Sequence, residues 1–114
     1  MQLPPKSKRI ALATTDEVEF FEVNSIIHCQ GENNYTRFFF DGGEMRLVSK
    51  PLSEYEELLA DFDFIRVYKS HLVNGHRVAS YIKKDGGYLI TSDGSSIPVS
   101  RRKKDDLLKR LKLD

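Results

Sequence analysis

The chain has 114 residues, 39% of them hydrophobic and 31% charged, and its 18 Lys plus Arg against 17 Asp plus Glu leave a formal net charge of +1. This length and composition fit one globular domain and exclude a disordered or membrane-embedded chain. Nucleic-acid binding driven by bulk positive charge is excluded as well.

The neutral total conceals three blocks. Residues 1–10 carry +3, residues 11–64 set three basic against twelve acidic side chains for −9, and residues 65–114 set twelve basic against five acidic for +7. Two differently solvated faces, or a partner of one charge sign, would explain such polarity. The opening MQLPPKSKR has no apolar core and is not a secretory signal. Pro4-Pro5 is stiff and the following Lys6, Ser7, Lys8 and Arg9 are solvated, so residues 1–9 are expected to be a linker or tail and 10–114 the domain. A single cysteine, Cys29, forms no internal disulfide, and no apolar run approaches the ~20 residues of a membrane span. The cytosol is the expected compartment.

Ile10 to Ala13 starts the first expected strand, and Val18, Phe20 and Val23, alternating with Glu17, Glu19 and Glu22, suggest a second with its apolar residues inward. Ile26 to Gln30 reads as a buried strand broken by Gly31-Glu32-Asn33-Asn34. Tyr35 to Phe40 resumes it, with Tyr35, Arg37 and Phe39 on one face and Thr36, Phe38 and Phe40 on the other. Asp41-Gly42-Gly43 is hairpin chemistry, because tight turns between twisted strands need positive φ; Asp85-Gly86-Gly87 and Asp93-Gly94 repeat it. Further strands are expected at Glu44 to Ser49, Val78 to Lys83, Tyr88 to Thr91 and Ser96 to Val99, which makes the fold mainly β. Pro51 to Ala60 spaces Leu52, Tyr55, Leu58 and Leu59 as an amphipathic helix covering the sheet. A second helix follows Ser100, a suitable N-cap, with Leu107, Leu108 and Leu111 as its apolar stripe.

Enzyme motifs are missing: there is no phosphate loop, nucleophile elbow or metal-ligand spacing, so no catalytic residue, metal or cofactor is expected. His28 and Cys29 are neighbours on a strand, point to opposite faces and cannot share a metal; they read as core or edge residues. Three other features invite a ligand. Arg101-Arg102-Lys103-Lys104 opens a helix with cations that oppose its dipole, a cost of roughly 0.3–1 kcal/mol each if fully effective, and an anion there would relieve it. A solvated basic run with Asp105 and Asp106 in compensation is the plainer account. In Phe64 to Asn74 the strand alternation stops at Lys69, and Lys69, Ser70 and His71 form a polar corner before Leu72-Val73; otherwise this is a surface turn. The Glu32-Asn33-Asn34 loop is a turn by default, but an Asn amide also pairs bidentately with adenine, as Lys or Arg does with guanine.

Together, IIHCQGENNYTRFFFDGG, FIRVYKSHLVN and DGSSIPVSRRKKDDLLKRL resemble, in order and spacing, the LytTR family of bacterial DNA-binding domains, from about Ile10 to Leu111. The resemblance implies an elongated, mainly β fold of about ten short strands in stacked sheets with one or two short helices. It implies loops that enter two successive major grooves of double-stranded DNA, contacting the minor groove between them. The base-reading positions of the family fall on Asn34, Lys69 and Arg101, with Asn33 an alternative to Asn34. Asn33, Ser70, His71, Arg102 and Lys103 are then backbone contacts that position without reading sequence. It also implies imperfect direct repeats as target, two copies on one DNA, and a receiver domain elsewhere in a two-component response regulator. A β-rich protein-interaction or anionic-ligand module is the alternative, and a small hydrolase using Ser70 and His71 is a third reading that the missing motifs disfavour. On the DNA reading, the acidic strand at Glu17 to Glu22 and helix at Glu54 to Asp63 are expected to face away from DNA.

Overall fold

The structure is a computed structural model, which describes residues 8–111. Pro4-Pro5, Lys6 and Ser7 of the expected linker lie outside the described residues. The elements are β1 (Arg9–Ala13), β2 (Val18–Glu22), β3 (Ile26–Glu32), β4 (Tyr35–Phe40), β5 (Met45–Val48), α1 (Leu52–Leu58), β6 (Phe64–Tyr68), β7 (His71–Asn74), β8 (Val78–Ile82), β9 (Tyr88–Thr91), β10 (Ser96–Pro98) and α2 (Lys104–Leu111). The strands form a β1-β2 ribbon, a central sheet in the order β5-β4-β3-β7-β6 and a small sheet β10-β9-β8. Every strand pairing is antiparallel.

Period-two alternation in the central strands produces two cores, one on each face. Cys29, Phe38, Phe40, Val48, Phe64 and Leu72 pack with Ile10 and Leu12 of the ribbon and with Leu52, Tyr55 and Leu59 of the α1 region. Ile65, Val67 and Val73 point the other way and pack with Leu89 and Ile97 of the small sheet, Val99, and Leu107 of α2. The central sheet is thus the middle layer, the molecule measures 43 × 33 × 25 Å, and the expected mainly β architecture is what forms. No helix among the described residues is long and apolar enough to cross a membrane.

The β4 faces fall as the alternation requires: Thr36, Phe38 and Phe40 are buried, and Tyr35, Arg37 and Phe39 are on the less covered side. His28 and Cys29 are both buried, on opposite faces, as core residues. At the Asp41-Gly42-Gly43 turn both glycines take positive φ, 77° and 81°.

Several expectations are corrected. Gly31 and Glu32 do not break the strand; they continue β3 opposite Thr36 and Tyr35, leaving Asn33-Asn34 as the whole turn. Gly31 is there for close approach, since an added Cβ would sit 2.8 Å from Leu52 Cβ. The faces of β2 are reversed: Val18 and Phe20 are exposed at 54% and 62%, while Glu19 and Phe21 turn inward. Ile10 and Leu12 of β1 face the core, and their register partners are Phe21 and Glu19. Phe21 stacks on Phe40 at 4.3 Å. Glu19 is accepted on that side because Arg46 binds it with two hydrogen bonds, of 2.7 and 3.0 Å.

Leu58 is exposed, so the buried stripe of α1 is Leu52 and Tyr55, continued by Leu59. Position 58 lies about a quarter-turn off that line at 100° per residue. Pro51 precedes the helix in extended conformation, and its carbonyl accepts the Glu54 N–H. Strand β1 begins at Arg9, which pairs with Glu22, and the Lys8 carbonyl accepts the Val23 N–H. Ser100 stands at the N-cap position but its hydroxyl caps nothing, and the first turn, Arg101–Lys103, is 3-10. The α-helix proper begins at Lys104 with Asp105 and Asp106 in its first turn, which suits its dipole.

Candidate nucleic-acid interface

Antiparallel pairing places the β3-β4 turn and the β6-β7 turn at the same end of the central sheet, because β3 and β7 are neighbours. Two backbone hydrogen bonds fasten the loops there. The Gly31 N–H donates to the Ser70 carbonyl at 2.9 Å, joining the Asn33-Asn34 hairpin to the Lys69-Ser70 turn, and the Ser100 N–H donates to the Val67 carbonyl at 2.7 Å, joining the start of Arg101–Lys103 to the end of β6. The three segments singled out in the sequence are therefore tied into one rim.

Within it, Asn33 has φ of 56°, which Asn tolerates better than most side chains. Asn33, Asn34, Lys69, Arg101, Arg102 and Lys103 are all exposed, and Ser70 is half-buried. His71 is not part of the turn; it is the first residue of β7, half-buried and across from Gln30. Burial lowers its pKa, and its Nδ1 is enclosed without a hydrogen-bond partner among the described residues. His71 is thus a neutral hydrogen-bonding group near pH 7 rather than a cation.

The cations divide into committed and free. Arg46 is held by Glu19 and Glu44, Arg66 by Glu56, and Arg77 by Asp41. Lys69, Arg101, Arg102 and Lys103 have no ion pair among the described residues, and neither do Arg37 and Lys50. These last two were missed in the sequence. Lys50 is brought to the rim by Thr36, whose fully buried hydroxyl donates to the Lys50 carbonyl at 2.7 Å. Arg37 lies across from Gln30 on one side and Leu47 on the other, half-buried with its Nε unpartnered. The signal for Arg37 was present: it is the one cation in the alternation of Tyr35 to Phe40, on the same face as Tyr35. Nothing local marks Lys50, which depends on a contact with a residue fourteen positions away.

The acidic groups do not all stand apart from the rim: Glu32, at the end of β3, is exposed beside Asn33. Asp61 and Asp63 precede β6 at its far end from Lys69, and Asp41 lies beyond the far end of β4. The β1-β2 turn departs from the expected separation: Thr14 and Thr15 share a shallow groove with Leu47 and Ser49, next to Lys50, so Asp16 and Glu17 stand near the rim.

The chain matches the family model of the LytTr DNA-binding domain over residues 16–112. It is 34% identical over 110 residues to the sensory transduction protein LytT of Bacillus subtilis, covering 90% of this chain and 43% of that protein. It is 25% identical over 101 residues to the CO-responsive transcriptional regulator RcoM of Rhodospirillum rubrum, covering 86% and 42%. The chain therefore spans less than half the length of these curated relatives. A solved LytTr DNA-binding domain from Bacillus cereus superposes with a TM-score of 0.77 at 23% identity, covering 95% of this chain and 99% of that one, a likeness of fold.

Proposed function

From the premise that the chain belongs to the LytTr DNA-binding domain family, we propose that it binds double-stranded DNA sequence-specifically through the rim, as the output domain of a response regulator. The observation that carries this reading is the pair of backbone bonds, Gly31 to Ser70 and Ser100 to Val67, which hold three exposed polar loops in a fixed relation beside unpaired cations. Loops already fixed relative to one another lose little backbone freedom on docking, which favours selective contact. Arg101 addresses guanine N7 and O6 through its fork, Lys69 does so as a point charge, and Asn34, or Asn33 beside it, addresses adenine. Asn33, Ser70, His71, Arg102 and Lys103, joined by Arg37 and Lys50, take phosphates and set the register. Loops of the rim entering two successive major grooves, with the minor groove contacted between them, complete the docking geometry. Imperfect direct repeats would seat two copies on one DNA. A receiver domain in the complete regulator and a setting in the bacterial cytosol complete the reading, with no catalytic step.

Selection from a random duplex library tests it. Enrichment of a spaced direct repeat is expected, and on the enriched site Arg101→Ala should cost roughly 1–3 kcal/mol and relax selectivity at one base pair. A protein-interaction or small-anion module would enrich no duplex.

A further inference from the structure

We infer that Arg66 and Glu56 form a positioning clamp that sets how Lys69 is presented to DNA; the inference rests on the DNA reading above. Arg66 lies on the α1 face of β6, opposite Leu72, with its side chain 20% exposed. Its Nε donates to the carbonyls of Tyr68 and Lys69, at 3.2 Å each. Its Nη2 donates to the Lys69 carbonyl again, and Nη1 donates to the Glu56 carboxylate at 2.7 Å. One guanidinium therefore grips both peptide carbonyls that lead into and out of Lys69, from behind the turn.

That grip has a structural reason. The β6-β7 register shifts between Arg66 and Tyr68, so the ladder is irregular just where the chain turns. Carbonyls left without ladder partners turn to water, and the peptide planes flanking Lys69 then reorient freely, carrying its side chain with them. A planar fork fixes those planes, and Glu56 fixes the fork. Glu56 belongs to α1, whose Leu52 lies against Gly31 of the neighbouring loop, so the helix backs both turns. Three of the guanidinium's hydrogen bonds point to this turn and one to Glu56, an arrangement built to hold Lys69 rather than to meet a phosphate.

The sign of one substitution separates the clamp from bulk electrostatics. Removing a carboxylate near DNA should strengthen binding if charge alone matters. If Glu56 positions Lys69, Glu56→Ala should instead lower the preference for the library-selected duplex over one altered at the base pair Lys69 reads, by about fivefold, a fraction of what one reader supplies. In a Lys69→Ala background the same change should have no effect on that preference. Arg66→Lys keeps the charge but not the fork, and should lose the preference while leaving the salt dependence unchanged. Thermal unfolding checks that each variant folds. An unchanged preference in Glu56→Ala, or an equal loss with and without Lys69, overturns the clamp while the DNA reading stands. A parent that prefers no duplex removes the DNA reading, and the clamp with it. A parent preference that Lys69→Ala leaves intact overturns Lys69 as reader and the clamp together.

Discussion

His28 is 3% exposed, stacked on Phe39 at 4.3 Å, and neither ring nitrogen has a hydrogen-bond partner among the described residues. Its Nε2 is 3.9 Å from the Asp93 carboxylate, too far for a hydrogen bond. Burial, opposed by the Asp93 charge and reinforced by His71, brings its pKa down to about 4 from 6.5. Asp93 keeps its own charge although burial works against it, because the Thr91 hydroxyl and the Ser95 N–H donate to it. Between pH 6.5 and 4 the unfolded chain takes up a proton at this position that the folded chain refuses. The stability His28 confers is therefore complete above pH 6.5 and is lost as pH falls through 4, on the order of 3 kcal/mol. His28→Phe retains the ring contact with Phe39 and cannot protonate. Urea midpoints at pH 7 and pH 4.5 should show a smaller drop for the variant than for the parent; equal drops would mean that His28 is not the group responsible.

Among the elements, the β3-β4 hairpin and α1 are joined at Gly31, where Ala would force its methyl against Leu52. Gly31→Ala should cost about 1–3 kcal/mol, read from denaturant unfolding, because the helix must shift. Since Gly31 also donates to Ser70, the same variant should loosen the Lys69 turn. The positions of nearly all strands were legible from alternation and glycine turns, and the three loops from their chemistry. The inner face of β2 was not. Phe20 and Phe21 are adjacent, so either face of that strand can be read as apolar, and the choice is made by β1 register and by the Arg46 guanidinium that neutralises Glu19 from β5. Leu58 was misread for a related reason: helical spacing admits a stripe wider than the surface the sheet offers it. The helix cap failed because the Lys103 N–H that the Ser100 hydroxyl would meet donates instead to the Ser100 carbonyl, closing a 3-10 turn.

At the scale of the molecule, the net charge of +1 is resolved by pairing. Arg46, Arg66 and Arg77 are bound to carboxylates, whereas Arg37, Lys50, Lys69 and Arg101–Lys103 at the rim have no ion pair among the described residues, nor do Lys83, Lys84, Lys104, Lys109 and Arg110 elsewhere. A near-neutral chain should bind non-specific DNA weakly and owe its selectivity to particular contacts at the rim. Each phosphate contact contributes about −0.9 to the slope of log K against log[salt], so Arg37→Gln should make the slope shallower by about one contact. Titrations of parent and variant at several salt concentrations measure this directly, and an identical slope would show that Arg37 meets no phosphate. The proximity of Asp16 and Glu17 to this end is a counterweight that sequence blocks could not reveal, since a turn has no fixed place until its ribbon docks.

Cys29 belongs to the middle layer, fully enclosed, with burial pushing its thiol far above the ordinary range. A thiol in that condition reacts with neither oxidants nor alkylating reagents while the sheet is closed. It packs in the core covered by the β1-β2 ribbon and the α1 region, so exposing it means lifting that cover from the sheet. The sulfur is in effect a timer: under fast labelling, the rate at which a reagent captures it counts the occasions on which that core comes open.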